Sequence, residues 1–583
     1  MEKLQQARAD LKAHFLGIDD IIDNVIDLMT FWYTNPEAID RPVIINLWGM
    51  TGTGKTDFVR RLASALELPF EEKQMCSTAY GAISDEIPTG RGVLLIDEFQ
   101  RWAHKDEAGN RKDVPGYQDL WMILSDGKVS ISIEETKREF LRSVLRHRRR
   151  EQNASPTTKK VLDPSPVIAR EGDDGFWNSQ ALWLIRRLSP SVSYEDAMFL
   201  SEEESEALCF KIIAEVSAAP VRDFSKYLIF ICGNLDGLYE FSDHVSEQDL
   251  PADYIHDCSK RLTASSAKIQ LGKIFFPEQV ARLGSNHMIY KALSSSAYEA
   301  LIRRRIQFHV DRIKEKTGKS FTPTDDLIDF IYRNGVFPVQ GVRPLYSYID
   351  GIMFTSVLPL AYEQASGGVI DYVEGRIIVG DMSRPLVGDR DALWASHPKD
   401  VLESSCIHEM GHAAIVYGIT GQWPDYILVN PSGGATIHSK SLSLMEDAAI
   451  SCAGIAAEDM FGFKTYTGHS SDLQRFTYSI VTYARFCGGG SYFGHFVPES
   501  LDMARSNFLT TPALESELTL ISKRVRSLVR NYLELPEVRS AIIYLSKKLR
   551  AEKVLKGSDI SITLPKLEVD HPSHYVKSLD DLT

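Results

Sequence analysis

The hydrophobic pattern changes period several times along the chain. Residues 42–49, PVIINLWG, form a short unbroken apolar run ending in glycine, as in a strand buried on both faces. KTDFVRRLASALEL follows almost at once with its apolar residues at helical spacing, so strand, glycine loop and helix are predicted in that order. Two further buried-strand runs are GVLLIDEF at 92–99 and KYLIFICGNLDG at 226–237. Strands alternating with helical stretches predict an α/β unit with a parallel sheet over residues 41–286, after a helical lead-in over 1–40. Helical periodicity returns over 287–379, and a stretch rich in turn formers reads as a linker at 380–394. A second globular, mostly helical unit is expected over 395–562, with a flexible tail at 563–583. Between the second and third strands lies a long polar tract, 130–222, containing RSVLRHRRREQNASPTTKKVLDPSP, which reads as a solvated insertion placed where it could also handle substrate.

Composition narrows the classes. The chain has 583 residues, 44% hydrophobic and 25% charged, which suits a soluble globular protein of several domains. Its net charge of −14 argues against a general nucleic-acid binder, whose affinity needs concentrated Lys and Arg. The 7 cysteines (Cys76, Cys209, Cys232, Cys258, Cys406, Cys452, Cys487) are scattered and never spaced C-x-x-C, so neither a disulfide framework nor a zinc knuckle is expected. A reducing, cytoplasmic setting follows. MEKLQQARADLKAHFLG is charged and amphipathic rather than a signal peptide, and no apolar run approaches the roughly 18 residues that span a bilayer, so no membrane anchor is expected.

Two stretches carry chemistry. GMTGTGKT fits G-x-x-x-x-G-K-[ST] with Gly49, Thr51, Gly52, Gly54, Lys55 and Thr56. Its glycines let backbone N–H groups converge on phosphates, Lys55 meets the β/γ charge and the Thr56 hydroxyl can ligate Mg2+. LLIDE places Asp97 and Glu98 at the carboxyl end of the second strand, where ligands bind in open α/β sheets. There Asp97 would hold the Mg2+ shell and Glu98 would activate the attacking water, with Asn234 after the third strand placed to position it.

The second stretch is CIHEMGHAAIVYG at 406–418. With Asp400 as N-cap and Gly418 as stop, Val401 to Tyr417 reads as a helix, which puts His408 and His412 on one face. Both can reach a single Zn2+ ion, and Glu409 beside them can act as general base toward an activated water. Proximity in sequence offers Cys406, Cys452 and His469 as candidate third ligands.

These motifs resemble two families. Over about 15–370 the chain is similar to Clp-type AAA+ ATPases. HFLGIDDIIDNVIDLM looks like their opening helix, GMTGTGKT and LLIDE like Walker A and Walker B, and ICGNLD like the sensor-1 strand. FFPEQVARLG resembles the arginine-finger stretch, and GVRPL the sensor-2 motif. The resemblance implies an ATP- and Mg2+-dependent motor working as a hexameric ring, with a small helical lid subdomain over 287–379. By it, Arg282 reaches a neighbouring subunit's nucleotide, Arg343 contacts the subunit's own, and Tyr80 of STAYGAI grips substrate on a pore loop. Over about 395–560 the chain resembles the zinc-peptidase domain of FtsH-type proteases. There AAISCAGIAAEDMFGFKTYTGHSSDLQRFT matches a small-residue helix followed by the T-G-x-S-x-D-L-Q-R motif. By that resemblance Asp472 is the third zinc ligand and Glu458 supports a ligating histidine. PDYILVNPSGGATIHS corresponds to a strand edge that receives substrate backbone, and VRNYLELPEVRSAIIYLSKKLRAEKVLKG to the helical tail. The chain departs from FtsH-type proteases in lacking both N-terminal transmembrane helices and paired finger arginines. Together the resemblances imply a soluble ATP-dependent zinc metalloprotease acting on protein substrates; the alternative is a remodelling ATPase whose zinc domain binds but does not cleave.

Overall fold

The computed structural model describes residues 1–76, 82–130 apart from 107, 113 and 115, then 141, 200–215, 221–239, 250–430, 433–463, 470–486 and 512–569. The protein is a multidomain α/β chain that divides into two compact units.

The first unit holds residues Met1–Phe241, Ile255–Ala297 and Val339–Arg343. Its centre is a five-stranded sheet of β1 (Val43–Trp48), β2 (Phe70–Gln74), β3 (Gly92–Asp97), β4 (Tyr227–Gly233) and β5 (His287–Ile289), in the order β2-β3-β4-β1-β5. Every pairing is parallel, with Val43 opposite Leu228 and Gly92 opposite Tyr227. The three apolar runs are its inner strands, because only those are covered on both faces. The two strands absent from the apolar pattern are its edges: β2 is the polar, half-buried FEEKQ and β5 is three residues long.

Helices α1 (Glu2–His14), α2 (Asp19–Thr34) and α3 (Lys55–Ala65) belong to this unit. Ile22, Val25, Ile26, Met29 and Trp32 of α2 pack in one core with Phe58, Val59 and Leu62 of α3 and Leu95 and Phe230 of the sheet. The Trp32 indole N–H donates to the Lys226 carbonyl at 2.9 Å, so the lead-in helix is fastened to the start of β4. Elsewhere in the unit, Trp102 stacks on Trp121 with centroids 4.9 Å apart, and Phe99 lies 4.9 Å from Phe275.

The second unit holds Ser242–Tyr254, Tyr298–Pro338 and Pro344–Thr583. A four-stranded sheet contains β6 (Phe321–Pro323), β7 (Gly368–Val373), β8 (Arg376–Val379) and β9 (Met382–Pro385), in the order β9-β8-β7-β6. The stretch read as a linker, 380–394, therefore contributes β9, whose Met382 pairs with Val379, and most of the helix Asp389–Ser396. Asn334 Nδ2 donates to Asp391 Oδ2 at 3.1 Å and ties that helix to Asp325–Gly335.

Residues beyond 398 build α4 (Lys399–Thr420), α5 (Leu444–Phe461), α6 (Ser470–Phe486), α7 (Pro512–Leu533) and α8 (Pro536–Glu552). They also build a three-stranded antiparallel sheet of β10 (Tyr426–Asn430), β11 (Gly433–Ile437) and β12 (Val554–Lys556), with β11 at one edge. Helix α4 is longer than the sequence reading. Pro398 is its N-cap, Asp400 sits in its first turn, and it ends at Gly421 in the left-handed conformation. Gly418 lies inside the helix for a packing reason: a Cβ there would stand 2.7 Å from the Tyr532 ring and 3.0 Å from Leu567. The segment after 562, read as a flexible tail, is packed as far as it is described. Leu567 and Val569 are buried, and the Leu567 amide donates to the Gly418 carbonyl at 2.8 Å.

Small side chains let α4 and α5 approach closely, with Ala413, Ala414, Ala448, Ala449, Ala453 and Ala457 in their shared core. A Cβ at Gly411 would lie 2.7 Å from the Ala453 carbonyl oxygen and 2.7 Å from Ala457 Cβ. Among the described residues, no helix is long and apolar enough to cross a membrane. Gly411→Val is expected to lower the stability of this unit by about 1–3 kcal/mol through overpacking, seen as a lower thermal midpoint by circular dichroism.

Candidate functional site

One turn of α4 separates His408 from His412, and their rings meet edge-on with centroids 4.7 Å apart. Asp472, in the first turn of α6, reaches the same point from the opposite side. Asp472 Oδ2 is 2.8 Å from His408 Nε2 and 3.3 Å from His412 Nε2, and the two Nε2 atoms are 3.0 Å apart. These three side chains form a group that could hold a metal ion. An ion with ligands at about 2.0–2.1 Å in a tetrahedron has neighbouring donors about 3.3 Å apart, which is close to this triangle.

The surroundings fix the orientation of each donor. His412 Nδ1 lies 2.7 Å from the Ile450 carbonyl oxygen, which can only accept, so Nδ1 carries the proton and Nε2 keeps its lone pair for a ligand. His408 Nδ1 is 3.5 Å from Glu458 Oε2, while the Ser404 hydroxyl donates to Glu458 Oε1 at 2.6 Å. The His408 ring also lies over Gly454, where a Cβ would stand 2.5 Å from its Nε2. Burial opposes a charged ring at His408, but hydrogen bonds to Asp472 and Glu458 outweigh it and push the imidazole up to about 10. Burial would likewise raise the Asp472 carboxyl, yet the two imidazoles hold it well below the ordinary carboxylate range.

Glu409, the residue next to His408 on α4, packs against β11. The Thr436 hydroxyl is 2.9 Å from its Oε2, and a Cβ at Gly434 would stand 2.5 Å from its Cγ. Burial pushes its carboxyl up, with His412, His408 and Thr436 pulling the other way. A buried carboxylate beside a metal-binding triangle is equipped to take and return a proton. Cys406 and Cys452 are buried thiols pushed up to about 12 by burial, and neither belongs to the donor group. His469 lies outside the described residues.

In the first unit the glycine loop joins β1 to α3. Gly52 and Gly54 adopt positive φ of 70° and 86°, and a Cβ at Gly49 would lie 2.7 Å from Tyr290 Cβ. Lys55 Nζ donates to the Gly49 and Met50 carbonyls at 2.9 and 2.8 Å and to Asn234 Oδ1 at 3.1 Å. Burial lowers its pKa, against the opposing pull of Cys232, Asp97 and Glu98. The Thr56 hydroxyl donates to Asp97 Oδ2 at 2.8 Å, so Lys55, Thr56, Asp97 and Asn234 share one small space at the carboxyl end of the sheet. Glu98 follows in the left-handed region with φ 54°. A non-glycine residue held there costs about 1–3 kcal/mol, a type of strain that clusters at functional sites.

Thr51 is exposed on the outer side of the loop, where GVRPL meets it: the Val342 amide donates to the Gly52 carbonyl at 3.1 Å. A Cβ at Gly341 would stand 2.5 Å from the Thr51 oxygen, so only glycine permits that approach. Arg343 follows Val342 and is exposed. Arg282 ends the short helix Pro277–Arg282, also exposed. Tyr80 and most of the 130–222 insertion, including Arg148, Arg149 and Arg150, lie outside the described residues.

The sequence reading missed Ser404, Thr436 and Gln100. Ser404 stands four residues before His408 on the same helix, and Gln100, whose Nε2 donates to Glu98 Oε2 at 2.8 Å, stands two residues after Glu98, spacings that could have flagged both; Thr436 is joined to its site only by the fold. No family model and no curated protein matches the chain.

Glu458→Gln is expected to weaken metal binding by about 10- to 100-fold, as loss of a ligand-supporting carboxylate does. Asp472→Ala should weaken it further; competition with a chromophoric chelator measures both, and undiminished affinity in Asp472→Ala counts against the assigned donor set.

Proposed function

We propose that the chain is an ATP-dependent zinc metalloprotease, a Clp-like AAA+ motor joined to an FtsH-like peptidase. It unfolds protein substrates as a cytoplasmic hexameric ring. The observation that carries this reading is the meeting of His408 and His412 with Asp472, which is distant in sequence, with the buried carboxylate of Glu409 beside them. Two imidazoles and one carboxylate are a donor set for catalytic zinc, which takes its fourth ligand from water or substrate. Zn2+ held there would supply Lewis acidity, activating water and polarising a peptide carbonyl.

The chain's own residues do the rest. Glu409, oriented by Thr436, takes a proton from the attacking water and returns it to the leaving amine. The edge strand β11 carries Gly434 and Thr436 against Glu409, so an extended peptide paired along that edge would run past the general base. Main-chain pairing ignores side-chain identity, which suits a protease of broad specificity.

In the motor, the glycine loop and Lys55 would bind ATP phosphates, Thr56 and Asp97 the Mg2+, and Glu98 with Asn234 the attacking water. The exposure of Arg282 suits a finger reaching a neighbouring subunit, and docking of Gly341–Val342 on the loop suits Arg343 as a contact to the subunit's own nucleotide. A folded substrate is stable by about 5–15 kcal/mol, so hydrolysis has unfolding work to do before peptide bonds are reached. The described cysteines are free thiols, which fits a reducing compartment.

The test is degradation of a folded fluorescent reporter with ATP and zinc. Glu409→Gln is expected to lose about 100- to 10,000-fold in cleavage with ATP hydrolysis intact. Glu98→Gln should stop digestion of the folded reporter while an unfolded peptide is still cut. Full cleavage by Glu409→Gln would remove the protease reading. ATP-driven unfolding without cleavage by the wild type would leave a remodelling ATPase.

A further inference from the structure

A side chain outside the recognised motifs joins the two halves of the nucleotide site. Gln100 Nε2 donates to Glu98 Oε2 at 2.8 Å, and its Oε1 accepts from the Asn234 backbone N–H at 2.9 Å. Asn234 Oδ1 in turn accepts from Lys55 Nζ at 3.1 Å. An unbroken path of hydrogen bonds thus runs from the lysine of the phosphate loop, through Asn234 and Gln100, to the Glu98 carboxylate.

The path is held by the fold on both sides. Phe99 and Trp102 are fully buried in the aromatic cluster, which pins the turn Phe99–Trp102. Across from it, β4 ends at Gly233, where a Cβ would stand 2.9 Å from Gln100 Oε1 and 2.8 Å from the Trp48 ring. A glycine at that point leaves the space that the amide fills. The left-handed backbone of Glu98 and the Gln100 amide together set where the carboxylate stands.

We propose that Gln100 is a positioning residue for ATP hydrolysis, coupling Asn234 to Glu98. The proposal rests on the ATPase reading of this site. When Lys55 and Asn234 engage a γ-phosphate, the Asn234 backbone carries Gln100, and with it the Glu98 carboxylate, into line with the attacking water. The amide of Gln100 is suited to the task because it accepts at one end and donates at the other. Neither a carboxylate nor an aliphatic side chain of similar length can do both.

The experiment is steady-state ATP hydrolysis by the full chain, alongside binding of a fluorescent ADP analogue. Gln100→Leu is expected to lower kcat by about 10- to 100-fold, the scale of a misplaced catalytic group, with nucleotide affinity within about 2-fold of wild type. Gln100→Glu keeps the length and the acceptor for the Asn234 backbone N–H but sets a carboxylate against Glu98, and should lose kcat to a similar degree. In a Glu98→Gln background, Gln100→Leu should add almost nothing, because the two residues act as a unit. Unchanged kcat, a loss confined to nucleotide affinity, or full additivity with Glu98→Gln overturns the proposal. If Gln100→Leu does not fold, Gln100→Glu decides by the same criteria. A wild type that binds no nucleotide removes the ATPase reading itself, whereas a hydrolysing wild type with an indifferent Gln100 removes only this coupling.

Discussion

Helices α4 and α5 approach so closely that Gly411 and Gly454 have no room for a β-carbon, and the geometry of the His408–His412–Asp472 group hangs on that approach. At this separation His412 reaches a backbone carbonyl of α5, the His408 ring lies flat over a glycine, and Ser404 reaches Glu458. One packing contact therefore sets a tautomer, a ring orientation and a supporting carboxylate together. A wider gap would leave the same residues on the same helices without a common focus. The alanines between the helices are thus part of the chemistry, although none carries a functional group.

The candidate nucleotide site solves a similar problem with large side chains. Its carboxylates stand at the end of a buried parallel strand, and the chain must turn sharply after Asp97 without letting Glu98 swing free. The aromatic cluster around Phe99, Trp102, Trp121 and Phe275 pins the turn, and the backbone strain at Glu98 is held by that packing. Rigidity comes from close helix approach in one unit and from aromatic filling in the other.

What could be read from the sequence follows from how local each signal is. The inner strands β1, β3 and β4 were legible because burial on both faces leaves continuous apolar runs; the edges β2 and β5 were not, being polar or short. Lys55 and Thr56 lie together because one strand–loop–helix unit fixes them, and Asp97 meets them because the parallel sheet brings the carboxyl ends of β1 and β3 to the same edge. His408 and His412 follow from helix period alone. Asp472 could be placed only by family resemblance, because nothing local says which distant residue folds onto a helix face. Gly418 was misread as a helix stop, since a glycine spared for a neighbouring ring looks the same in sequence as one spared for a left-handed turn. Thr436 and the link from Gln100 to Asn234 escaped notice for a related reason: each acts across a gap between elements that the sequence does not bring together.

The contact between Leu567 and Gly418 has a temporal side. The carbonyl of Gly418 is taken by an amide far downstream, and Tyr532 fills the space beside that glycine while its own hydroxyl donates to the Pro565 carbonyl at 2.7 Å. The helix that bears both histidines is thus sealed by segments that leave the ribosome long after it does. Until the chain has been made through Leu567, the Gly418 end of the histidine helix lacks the partner that takes its carbonyl.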